Sequence, residues 1–165
     1  MEIWDIYDNN RQKTKRTVKR GNPISTGDYH LVIHVWIIND KGEFLIQKRQ
    51  SWKLSSPGMW DCAVAGCTVS GENTKETAIR ETKEELGIEL DINKGVIFAS
   101  VKCDSLFDDI WLVRQNVMIS DLKFQYEEVA DAKWVNISEI NQLILSGKFI
   151  KYDYIDKIFA RITNL

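Results

Sequence analysis

At 165 residues, with 44% hydrophobic and 10% aromatic side chains, the chain has the length of one domain and enough apolar surface for a core. A net charge of −2 excludes a general polyanion binder, so no stable complex with nucleic acid is expected. The three cysteines include no CxxC pair, no apolar run approaches the roughly 20 residues of a bilayer span, and the first residues form no signal peptide, so a reduced, cytoplasmic protein without membrane contact is expected.

Residues 3–8 read as a short strand closed by Asn9-Asn10. Residues 11–20 carry Arg11, Lys13, Lys15, Arg16, Lys19 and Arg20. A solvated hairpin or loop is the expectation there, with a phosphate-facing rim as the alternative. Residues 29–39, rich in Val and Ile, suit a central strand. The turn signal Asn39-Asp40-Lys41-Gly42 and residues 43–49 complete a hairpin, and residues 50–58 follow as a polar loop. Residues 60–69 read as strand again. Asn73 and Glu76 have the form of a capping box, which predicts a helix over residues 74–86 ended by Gly87. Its inner stripe is Ile79, Thr82 and Leu86, and its other side carries Glu81, Glu84 and Glu85. Residues 96–103 and 109–119 read as a second strand hairpin, and residues 133–135 as a short strand. Asn136 and Glu139 cap another helix ending near Gly147. Residues 152–162 carry a helical stripe of Ile155, Ile158, Phe159 and Ile162 that should pack on the sheet. The class is α/β (α+β), with a central sheet between helices.

The acidic helix breaks two local rules. Glu84 and Glu85 stand in its last turn, where the macrodipole is already negative. Glu81 and Glu85 are like charges at i,i+4, which repel by roughly 0.2–0.5 kcal/mol. A bound cation repairs both faults. Carboxylates suit hard cations, above all Mg2+ or Mn2+, which bind through a few carboxylates and substrate phosphate oxygens. Gly66 and Gly71, before the helix, allow close backbone approach. Arg80 stands at i,i+4 from Glu84 and can hold it by a charge-assisted bond. An ordinary acidic surface helix is the alternative.

The run Gly66-x5-Glu72-x7-Arg80-Glu81-Thr82-x-Glu84-Glu85-x-Gly87-Ile88 resembles the signature of Nudix hydrolases, with every fixed letter at the right offset. Thr82 departs from it, since an aliphatic residue is usual there. The resemblance implies an α/β/α sandwich with a mixed central sheet. It would cover residues 28–162 of a single domain spanning 1–165, with an N-terminal strand and basic segment before it. It also implies metal-dependent hydrolysis of a small-molecule diphosphate, a nucleoside diphosphate linked to another group, by a monomer or homodimer. By position, Gly66, Glu81, Glu84 and Glu85 would be metal ligands and Arg80 would orient the glutamates. Glu81 would alternatively be the base, and Glu72 would support the loop. Lys48, Arg49 and Lys53 follow a strand end, as a phosphate clamp or equally as a solvated strand end. An acid from outside the signature would come from Asp109, Glu127 or Glu128.

The stretch from His30 to Trp60 also resembles isopentenyl-diphosphate isomerases and their uncharacterised Nudix relatives, through His30, Trp36, Lys48-Arg49, Lys53, Pro57-Gly58 and Trp60. Isomerisation needs a cysteine where Ala65 stands, and metal-binding histidines where Cys67 and Pro23 stand. Alanine donates no proton, so hydrolysis is the expectation. An isomerase-like enzyme and a non-catalytic ligand sensor are the alternatives. His30 and His34 share one strand face and read as part-buried residues with satisfied nitrogens, with a vestigial or substrate-facing role for His30 as the alternative. The tryptophans are expected to fill the core, and Trp52 and Trp111, with polar neighbours, are the candidates to stack on a base instead.

Overall fold

The computed structural model describes residues 2–163. Met1, Asn164 and Leu165, within the expected domain, lie outside them. The run His-Leu-Val-Ile-His-Val-Trp-Ile-Ile forms β3 (His30–Ile38). Strand alternation sends its residues to two different cores. Ile33, Val35 and Ile37 are fully buried with Ala78 and Leu86 of α1 (Thr74–Leu86). Trp36 and Ile38 pack instead with Ile140 of α2 (Ile137–Leu145) and with Ile155 and Ile158 of α3 (Ile155–Thr163). A fully buried side chain of this size contributes about 1.5–3 kcal/mol, so both faces of β3 anchor the fold.

One edge of β3 pairs in parallel with β8 (Leu106–Arg114), from His30 opposite Leu106 to Ile38 opposite Arg114. The other edge is shared. β6 (Val64–Cys67) runs antiparallel along Val32 to Val35, while β4 (Phe44–Arg49) meets only Ile37 and Ile38. β4 also carries β5 (Trp60–Asp61) and β9 (Val129–Val135). β7 (Gly95–Cys103) closes the far edge against β8. The result is a mixed seven-stranded sheet with α1 on one face and α2 and α3 on the other, the expected α/β/α layering.

Several boundaries differ from expectation. The strand expected over 109–119 runs instead from Leu106 to Arg114, because nine residues must pair with β3. Two adjacent aspartates sit inside it, which sequence pattern alone reads as a strand start. The strand expected over 60–69 is two short ones, broken at Cys62 and Ala63. β9 begins at Val129, four residues early, since it pairs along β4 as far as Arg49. On α1, Ile79 is only half-buried, whereas Glu85 is 6% exposed. Glu85 is three residues after Thr82 and seven after Ala78, so helical periodicity puts it on the packed face.

The basic segment is a hairpin, as expected, of β1 (Ile3–Tyr7) with β2 (Lys13–Lys19). Its cations are mostly taken by nearby acids: Lys13 by Asp5 at 2.6 Å, Arg16 by Asp28 at 2.5 Å and Arg20 by Glu2 at 2.7 Å.

α1 carries the capping box read from sequence. The Asn73 side chain accepts from the Lys75 and Glu76 amides, and Glu76 Oε2 accepts from Asn73 N at 2.8 Å. Gly87 ends the helix at φ 72°. A Cβ there would lie 2.6 Å from Lys123 Cβ and 3.0 Å from Lys123 O. Gly87→Ala should therefore cost about 1–3 kcal/mol, from left-handed strain and displacement of the Lys123 backbone. Urea denaturation should show a lower midpoint at unchanged slope; an unchanged midpoint would contradict the account.

Candidate active site

The C-terminal half of α1 and the strand β6 before it form one wall of a cleft of about 280 Å³. Gly66, Glu81, Glu84 and Glu85 all lie on its lining. Arg49 from the end of β4, Lys53 from the next loop and Arg20 from the N-terminal hairpin bring positive charge to the same cleft. Val32, Ala65 and Cys67 add small, mostly apolar surface.

Arg80 organises the acidic wall. Its guanidinium donates to both carboxylate oxygens of Glu72 at 2.9 and 3.1 Å, to Glu81 Oε1 at 2.9 Å and to Glu84 Oε2 at 3.0 Å. It also reaches the Cys67 carbonyl at 3.3 Å, tying helix to strand. Burial raises the Glu81 carboxyl above the usual range although Arg80 pulls it down. Burial pushes the Glu85 carboxyl up to about 8, against the bond it accepts from Gln47 Nε2 at 2.8 Å, with Glu81 and Glu128 adding to the rise. Glu84 is the most exposed of the three, its side chain half exposed and paired with Arg80.

Gly66 is required by contact rather than by its backbone angle. A Cβ there would stand 2.6 Å from Glu81 Cγ and Cδ and 2.7 Å from Oε1. Gly66→Ala should push the Glu81 carboxyl out of position with little loss of stability, since the clash is with a side chain that can turn. A misplacement of about 1 Å can cost roughly 10²-fold in rate, so kcat should fall about that far while the melting temperature hardly moves. Steady-state kinetics beside a thermal melt decide it, and unaltered kcat counts against the role given to Glu81.

Among the described residues, no three His, Cys, Asp or Glu side chains converge as a ready chelating group. Arg80 Nη1 bridges Glu81 and Glu84 instead, and Glu85 faces Gln47. The donor chemistry still fits a hard divalent cation: three carboxylates and a backbone cradle without a Cβ, all lining one cleft.

Other residues singled out by sequence are dispersed. Arg49 and Lys53 reach the cleft, but alternation along β4 turns Lys48 to the opposite face. Of the three outside acids, Glu128 lines the cleft and pairs with Lys53. Glu127 is exposed and stands off the lining. Asp109 is away from the cleft, 1% exposed, and held by Arg11, Ser100 and Thr74. Arg20 keeps the rim alternative alive for one basic residue. Trp111 is buried, so stacking on a base is ruled out for it, while Trp52 is 53% exposed beside Tyr126.

His34 Nδ1 meets Asp108 Oδ2 at 2.6 Å, as a satisfied histidine should. His30 departs from expectation: it stacks on Trp4 at 4.3 Å, and its buried Nδ1 has no partner among the described residues. Burial holds its pKa below the ordinary value. Cys62 donates to the Val64 carbonyl, and burial pushes the Cys67 thiol up to about 11, so neither is a ready nucleophile or acid. Gln47 was missed from sequence, although it lies two residues before Arg49 and so on the same strand face.

The profile of the NUDIX domain matches residues 28–158. An uncharacterised Nudix hydrolase of Listeria monocytogenes is 43% identical over 159 residues, covering 96% of this chain and 94% of its own. An isopentenyl-diphosphate Delta-isomerase of Enterobacter is 27% identical over 118 residues, covering 67% of this chain and 63% of its own. Among solved structures, DR0079 from Deinococcus radiodurans superposes with a TM-score of 0.77 at 21% identity, over 99% of this chain and 98% of that one, which speaks for the fold. A matched profile over most of the chain, with a full-length relative at this identity, places the chain in the Nudix hydrolase family.

Proposed function

We propose that the chain is a single-domain, metal-dependent hydrolase that splits the diphosphate linkage of a small molecule, a nucleoside diphosphate derivative or a related compound, by attack of water. The observation that carries this is the cleft itself, where Glu81, Glu84, Glu85 and Gly66 share a lining with Arg49 and Lys53. Negative and positive walls so close together suit a cation and the phosphates it neutralises. Gly66, Glu81, Glu84 and Glu85 would hold Mg2+ or Mn2+, which would supply charge neutralisation and a more acidic water. Arg80 fixes the glutamates through its bonds to Glu72, Glu81 and Glu84. Arg49 and Lys53 bind phosphate oxygens, Arg49 as a planar fork. Glu81, raised in pKa and seated against Gly66, accepts the proton of the attacking water. Glu128, paired with Lys53, is the acid from outside the signature best placed to help.

The protein would act in the cytoplasm as a monomer or homodimer without nucleic acid, and no helix among the described residues is long and apolar enough to cross a membrane. Ala65 on the cleft wall, with Cys67 held as a thiol, argues against double-bond isomerisation. A magnesium-dependent screen over nucleoside diphosphates and triphosphates, dinucleotides, sugar nucleotides and prenyl diphosphates tests the reading. Release of phosphate or of a monophosphate supports it. Double-bond migration without phosphate release, or binding without turnover anywhere in the screen, overturns it in favour of an isomerase or a sensor.

A further inference from the structure

A second cavity, of about 390 Å³, opens on the α2 and α3 side of the sheet. Strand β3 contributes to both this cavity and the acidic cleft. Val32 and Ala65 line the cleft, while Asp108 and His34 line the cavity. Val32 pairs with Asp108, and His34 with Ala65, as direct neighbours in the sheet. All four side chains leave the same sheet face, and adjacent strands lie about 4.8 Å apart. A molecule with its diphosphate in the cleft therefore has this cavity within reach.

The cavity combines apolar walls with unspent polar groups. Tyr152 and Tyr154 stack on each other at 5.1 Å, and Tyr152 also covers the His34 ring at 4.4 Å. Asp108 is 5% exposed. Its Oδ2 takes His34 Nδ1 at 2.6 Å, while its Oδ1 has no partner among the described residues. A carboxylate only accepts, so Nδ1 is the donor, and in the tautomer that carries its one proton there Nε2 is an acceptor. Lys151 and Lys157 stand on the same cavity, and neither ammonium is in an ion pair among the described residues. Tyr152 marks the boundary with the cleft: its hydroxyl donates to Asp61 Oδ1 at 2.6 Å, and Asp61 Oδ2 lies 3.7 Å from Arg49.

We propose that this cavity seats the group carried by the diphosphate, and that the His34–Asp108 pair selects a planar, hydrogen-bond-donating group over a hydrocarbon one. The inference rests on the hydrolytic reading of the adjoining cleft. A planar ring stacks on the tyrosines, and its N–H or O–H groups meet His34 Nε2 and Asp108 Oδ1. An exocyclic amine or ring amide of a nucleobase has this chemistry. A prenyl chain fills the volume but leaves both acceptors dry and unpaired, and a site built this way rejects such a group strongly. His34 is then a specificity residue that touches neither phosphorus nor cation.

The test uses His34→Leu, which keeps volume and removes the acceptor, and His34→Gln, which keeps one. A thermal melt of each variant beside the unaltered protein guards against misfolding. Titration calorimetry with cytidine and adenosine 5′-monophosphates should show binding to the unaltered protein, weakened tenfold or more in His34→Leu and partly restored in His34→Gln. For a hydrolysed nucleoside diphosphate, KM should rise tenfold or more in His34→Leu with kcat within about twofold, while turnover of inorganic pyrophosphate or a prenyl diphosphate stays unchanged or improves. Equal binding of the monophosphates by all variants overturns the proposal, as does an equal fall for every diphosphate. Hydrolysis with unchanged discrimination sinks the pocket and spares the hydrolase. Binding lost in His34→Leu by a chain that hydrolyses nothing sinks the hydrolase and spares the pocket.

Discussion

Glu84→Gln should lower magnesium-dependent turnover by roughly 10²–10³-fold, the range for losing one preorganised electrostatic group at a reacting centre. The substitution keeps shape and a hydrogen-bonding oxygen but removes a charge. Among the described residues Glu84 has one ion-pair partner, Arg80 at 3.0 Å, and its side chain is half exposed. An exposed i,i+4 pair is worth about 0–1 kcal/mol, and Arg80 keeps Glu72 and Glu81. Stability should therefore stay within about 1 kcal/mol while activity collapses, and the Mg2+ concentration for half-maximal rate should rise. Kinetics across a magnesium titration, beside a denaturation curve, read both. Turnover that survives undiminished removes Glu84 from the cation site, and a large loss of stability makes it a structural residue.

The acidic helix was legible because every signal for it is local. Asn73, Glu76 and Gly87 mark its ends, and its bounds agree with the expected ones. Arg80 holds Glu84 as the i,i+4 spacing required. The two-sided core of β3 was legible as a strand but not as a divide, since alternation says that faces differ without saying what covers each. What failed was long-range. The extent of β8 is set by pairing with β3 more than seventy residues earlier, and only the turn at Asp104 and Ser105 marks its start locally. Glu85 was placed on the open side because a charged residue is seldom buried. Its burial follows from helix phase, and Gln47 on β4 supplies the polar contact. The acids proposed from outside the signature divided in the same way. Glu127 and Glu128 are adjacent in sequence, yet only the second lines the cleft. A loop residue's direction is fixed by contacts such as Gln50 N to the Glu128 carbonyl and Lys53 to the Glu128 carboxylate, which no local pattern encodes.

Asp109→Ala should destabilise the protein by about 3 kcal/mol, the lower end of the range for breaking a buried ion pair. The carboxylate is 1% exposed and accepts four hydrogen bonds. Two come from Arg11, at 2.8 and 2.6 Å, one from Ser100 at 2.5 Å and one from Thr74 at 2.7 Å. It thereby ties the β1–β2 turn, β7 and the first turn of α1 to the centre of β8. Removing it strands the donors of three side chains, though Arg11, with about a third of its side chain exposed, can turn partly to water. That exposure keeps the loss near the lower end. The pH dependence carries a second signature. Burial raises the Asp109 pKa, but the bonds from Arg11, Ser100 and Thr74 outweigh it and leave the carboxyl below its ordinary value. A carboxyl depressed by folding contributes in full above the unfolded value of about 4, and the contribution is lost as pH falls through the lower folded value. Asp109→Asn should therefore be less stable near neutral pH and lose less on acidification below about pH 4 than the unaltered protein. Urea curves at pH 7 and at two or three lower values measure both. If Asp109 were an acid of the reaction, Asp109→Asn would instead lose turnover at full stability, and that outcome would return it to the catalytic set.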